Sequence, residues 1–128
     1  MKKILSFAAV AFMFVACGGD SADKVAKNCV NALAEGNAKQ IAKCYYFKSE
    51  DEKQRGIKGL IDNIDSIKTN FAKNGGIKSV ETNTLNEVES VAKVQVVITY
   101  KNGEVEVEKI NLKKVDNNWY LDVNYYLW

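Results

Sequence analysis

At Asn74-Gly75-Gly76 the hydrophobic period of this 128-residue chain changes from that of a helix to that of a strand. Upstream, Ile57, Leu60, Ile61, Ile64, Ile67 and Phe71 form one apolar stripe at helical spacing. Downstream, Ala92, Val94, Val96, Ile98 and Tyr100 alternate with other residues, as on one face of a strand. A chain that places helices first and strands second must bury its helical stripe against one sheet face. The result is an α+β layer arrangement.

The pattern resolves into three helices and four strands. The first helix is expected from about Ala22 to Ala34, with Ser21 as N-cap and Glu35-Gly36-Asn37 as the stop. A second runs from about Ala38 to Phe47. Ser49 followed by Glu50-Asp51-Glu52 opens the third, because a hydroxyl cap and first-turn acids suit the positive end of the helix dipole. These acids therefore read as capping rather than as a metal or substrate site.

The strands are expected at Ile77–Glu87, Glu89–Lys101, Glu104–Val115 and Trp119–Trp128. Asn102-Gly103 predicts a two-residue hairpin setting Lys101 opposite Glu104. Within the third strand the apolar set changes phase, from Val105 and Val107 to Ile110 and Leu112. A bulge near Glu108-Lys109 would return the later pair to the core face. On this reading no acid faces inward, and Asp62 and Asp65 lie off the third helix's apolar stripe.

The N-terminus carries an address. Lys2-Lys3 precede the uncharged stretch Ile4–Val15, which is too short for a membrane span of roughly 20 residues and fits a secretory signal. Phe14-Val15-Ala16-Cys17 resembles a bacterial lipoprotein signal, although Phe14 stands where that pattern prefers Leu. The resemblance implies removal of residues 1–16 and lipidation of Cys17; the alternative is a cut after Gly18 and a free product. Residues 17–23 would then be the lipidated Cys and a short tether, and 24–128 the α+β domain. Gly18 after the Cys points to the outer membrane, facing the periplasm, in a Gram-negative cell.

Loss of residues 1–16 would leave 16 basic and 16 acidic side chains, a balance that disfavours nucleic-acid binding. Histidine is absent, so His-dependent triads and His-based zinc sites are excluded. No metal or cofactor is expected.

An N-terminal lipoprotein signal, an Ala-rich helix ending in Glu35-Gly36-Asn37, a long third helix and a last strand opening Trp119-Tyr120-Leu121 occur here in order. In this the chain resembles small bacterial lipoproteins with a nuclear-transport-factor-2-like (cystatin-like) domain. The resemblance implies three helices packed on one face of a curved four-stranded antiparallel meander, often leaving a conical pocket. It carries over no catalytic residue.

Cys29 and Cys44 are equidistant from the Gly36-Asn37 turn and lie on the apolar sides of their helices. They would meet across the helical hairpin, and an exported location permits a disulfide. Buried free thiols, or a redox or metal role, are the alternatives. Alternation turns Trp119 and Tyr125 inward, with Tyr100 beside them, to fill the core or line a pocket. Tyr120, Tyr126 and Trp128 belong to the opposite face, where an exposed aromatic patch would suit a homodimer or an envelope partner. The sequence thus points to a membrane-anchored envelope lipoprotein with a non-catalytic binding or interaction domain, taking a protein or a small apolar ligand. A small enzyme using the pocket, or a structural subunit of an envelope complex, are the other readings.

Overall fold

A computed structural model of the protein describes residues 19–122. Cys17, Tyr125, Tyr126 and Trp128 lie outside the described residues, as does the last strand expected beyond Asp122. The element order is α1 (Ala22–Glu35), α2 (Ala38–Ala42), α3 (Glu50–Ala72), a short 3-10 turn, β1 (Ile77–Val88), β2 (Val91–Tyr100), β3 (Val105–Val115) and β4 (Asn118–Leu121). The strands form one antiparallel sheet in the order β1-β2-β3-β4.

Local chemistry sets the helix ends. Gly36, at φ 71°, closes α1 by donating its N–H to the carbonyls of Ala32 and Leu33. The Asn37 side chain then accepts from the N–H groups of Lys39 and Gln40 and starts α2. Ser49 Oγ accepts from the Glu52 N–H at 3.1 Å to start α3. Helix α2 stops at Ala42, five residues short of the expected Phe47. Beyond it the chain runs beside β4, where the Leu121 N–H donates to the Cys44 carbonyl at 2.7 Å. That strand-like contact competes with continuation of the helix.

Helix α1 lies across the sheet and touches all four strands, burying Ala22, Ala26, Cys29, Val30 and Leu33. Its start is tied to β1 by the Thr82 hydroxyl, which donates to the Asp23 carbonyl at 2.8 Å. Helix α3 packs on α1 and α2. Leu60 and Ile67 are buried, whereas Ile61, expected in the apolar stripe, is 56 % exposed. Asp62 and Asp65 are exposed, as expected.

The register of β3 differs from expectation, with consequences for the site. The β2–β3 turn has three residues, Lys101, Asn102 and Gly103, and Tyr100 instead of Lys101 bonds to Glu104. Of the turn residues only Gly103 has a positive φ, 93°. The cause is tertiary: the Lys101 N–H donates to the Gly76 carbonyl and the Asn102 N–H to the Asn74 carbonyl. The Asn102 amide also donates to Asn74 Oδ1 at 3.0 Å.

One extra turn residue shifts every pair by one position and exchanges the faces of β3. Val94 pairs with Ile110 and Ala92 with Leu112, with no break in the β2–β3 ladder. The expected bulge at Glu108-Lys109 is therefore absent; the irregularities lie on β1, between Ile77 and Ser79 and between Thr84 and Asn86. Val105 and Val107 face outward, 58 % and 54 % exposed. Glu106 and Glu108 take the inward positions, opposite Ile98 and Val96.

Candidate functional site: a cavity between the helices and the sheet

The inward face of β2 and β3, the flank of α1 and the C-terminal half of α3 line a half-open cavity of about 560 Å³. This size suits a small-molecule site. Leu33, Ile67, Phe71, Val96, Ile98 and Ile110 form much of its wall, and Cys29 and Leu121 border it. Its polar groups gather where α3 ends beside the β2–β3 hairpin: Asn70, Lys73, Tyr100, Glu106 and Glu108. Concavities of similar volume lie at the α2–α3 loop and along β4, but this one combines an apolar wall with a convergent polar end.

Tyr100 is 2 % exposed and its hydroxyl donates to Glu106 Oε1 at 2.7 Å. Burial, then this hydrogen bond, then the charges of Glu106 and Glu108 push the phenol pKa up from 10.0 to about 12. The phenol is thus a neutral donor at any ordinary pH. Lys73 Nζ lies 3.3 Å from the same Glu106 oxygen and 5.6 Å from the centroid of the Tyr100 ring. The Glu108 carboxylate makes no hydrogen bond or ion pair with another described residue.

The cysteines do what their spacing suggested. Cys29 and Cys44 form a disulfide with Cα atoms 5.9 Å apart, and both are buried. The bridge ties α1 to the segment after α2, which in turn holds β4 through the Cys44 carbonyl.

The aromatic residues named from the sequence do not share one place. Tyr100 lines the cavity. Trp119 is buried and faces inward, but it borders the concavity along β4, with Lys114 Nζ 5.1 Å from its ring centroid. Tyr120 is half-buried, its ring edge-on to Tyr46 at 5.7 Å between centroids. Glu106 and Glu108 escaped the sequence reading, which placed no acid inward. The signal was available: with Tyr100 paired to Glu104, alternation turns Glu106 and Glu108 inward together with Ile110 and Leu112.

Among the described residues no group of three or more His, Cys, Asp or Glu side chains could hold a metal ion. No described helix is long and apolar enough to cross a membrane.

Three helices over an open four-stranded antiparallel sheet, with a cavity between them, define an NTF2-like α+β domain. The chain belongs to the family described as a domain of unknown function, DUF4878, which matches residues 15–122. Among solved structures it resembles a Campylobacter jejuni protein described as a candidate NTF2-like transpeptidase, with a TM-score of 0.68 and 20 % sequence identity. The match covers 80 % of this chain and 97 % of that one. No curated protein matches the sequence.

Proposed function

We propose that the protein is a lipid-anchored binding module of the bacterial cell envelope whose domain holds a small, partly apolar ligand in the sheet–helix cavity. The observation that carries this reading is the cavity itself. An apolar wall meets a polar end where Tyr100, Glu106 and Glu108 converge, the arrangement expected of a site that fixes a ligand's orientation through a few polar contacts. The anchor rests on the signal ending at Cys17, whose acyl chains would make attachment lasting.

The test is native mass spectrometry of the exported, disulfide-bonded chain. Extra mass that leaves on collisional activation supports the reading. A bare protein that also takes up no small amphiphile on titration overturns it.

The hydrogen bond between Tyr100 and Glu106 favours a second reading, a small enzyme performing proton transfer in the same cavity. It ranks below binding because the phenol is held protonated and Lys73 engages the carboxylate that would act as base. The transpeptidase description of the structural neighbour does not extend to this site. Such chemistry needs an activated nucleophile; among the described residues no Ser or Thr lines the cavity, and Cys29 beside it is oxidised.

A further inference from the structure

We infer that the cavity selects a ligand with a cationic, hydrogen-bond-donating head on an apolar body, an alkyl- or arylammonium compound. This rests on the binding reading above and adds the sign of the ligand's charge.

The polar end has a surplus of acceptors. Two carboxylates face one ammonium there; the Tyr100 hydroxyl and Lys73 Nζ both address Glu106 Oε1, while Asn70 is an exposed amide that can donate as well as accept. Glu106 Oε2 and the whole Glu108 carboxylate remain without partners in the described residues. Lys109 also borders the cavity, but it follows Glu108 on the strand, so its side chain leaves from the opposite face of the sheet.

Helix α3 adds to the same field. It ends beside the cavity with Lys73 as its C-cap residue, which already meets part of that negative end, and Asn70 and Phe71 of its last turn line the wall. The negative end of a helix dipole favours a cation. Spacing fits as well. Alternate residues on one strand face lie about 7 Å apart, and one ammonium making two charge-assisted hydrogen bonds of about 2.8 Å can bridge their carboxylates. The hydrocarbon part would lie against Leu33, Ile67, Phe71, Val96, Ile98 and Ile110.

The experiment titrates octylammonium chloride, octan-1-ol and sodium octanoate into the exported, disulfide-bonded chain, following heat and amide chemical shifts. Octylammonium should bind at least about tenfold more tightly than octanol, the worth of a charge-assisted hydrogen bond, with octanoate weakest. Glu108→Gln, at an exposed position, should bring octylammonium binding down to the level of octanol measured on the same variant. Octanol or octanoate binding as tightly as the ammonium overturns the charge inference while the cavity reading stands. So does an ammonium preference that survives Glu108→Gln. Failure of all three probes to bind overturns both.

Discussion

Tyr100 couples the stability of the fold to pH at the alkaline end. Its ionisation is pushed up to about 12, against 10.0 for a solvated phenol. Below about pH 10 both folded and unfolded chains hold this proton. As pH rises from about 10 to about 12 the unfolded chain loses it and the folded chain does not, so stability falls across that window. Tyr100→Phe should flatten this part of the profile, read as urea midpoints between pH 9 and 12. Equal slopes in the two proteins would show that burial and the Glu106 contact do not govern the phenol. At this scale the sequence was half legible. Alternation places Tyr100 inward without ambiguity, but its partner depends on a neighbouring strand's phase, which Tyr100 itself does not set.

Two connections bear on the cavity: the crosslink after α1 and the β2–β3 hairpin. The Cys29–Cys44 bridge closes a short loop and should stabilise the fold by about 3 kcal/mol, chiefly by restricting the unfolded chain. The double variant Cys29→Ser, Cys44→Ser should lose about that much in chemical denaturation, and wild type under reducing conditions should match it. A loss well below 1 kcal/mol would mean that packing alone holds α1 and the Cys44 segment together. The bridge was legible because it depends on local geometry, two residues equidistant from one Gly-Asn turn. The β2–β3 hairpin was not. Asn102-Gly103 marks a turn, but whether that turn takes two residues or three is decided by Asn74 and Gly76, distant in sequence, which hold Lys101 and Asn102. The apparent phase break at Val107–Ile110 was a symptom of that missing residue. The break vanishes once the turn has three residues, and Glu106 and Glu108 then face the cavity.

For the molecule as a whole, order and layers follow from the switch of period at Gly76, and the structural match agrees with them. What the sequence could not convey is how far α3 stands from the sheet. Its stripe reads as fully buried, whereas Ile57, Ile64 and Phe71 are half-buried and Ile61 is exposed. The stripe meets α1 and α2, and the space left beside the sheet is the cavity. Anchoring belongs to this scale too. Cys17→Ser should abolish incorporation of labelled palmitate and move the protein from the membrane to the soluble fraction; unchanged fractionation would refute the lipid anchor.

The folded part begins earlier than the expected tether allows. Gly19 donates its N–H to the Asn117 carbonyl at 3.1 Å, and α1 starts at Ala22. Two residues from Cys17, at most about 7 Å of extended chain, the backbone is already fastened to the β3–β4 turn. An acylated molecule would therefore be held to the bilayer at that turn, at the opposite end of β3 from the Tyr100–Glu106 pair. Nine residues of β3 separate Glu106 from Val115, about 30 Å at 3.3–3.4 Å each. The acidic end of the cavity thus lies a full strand's length from the point of attachment.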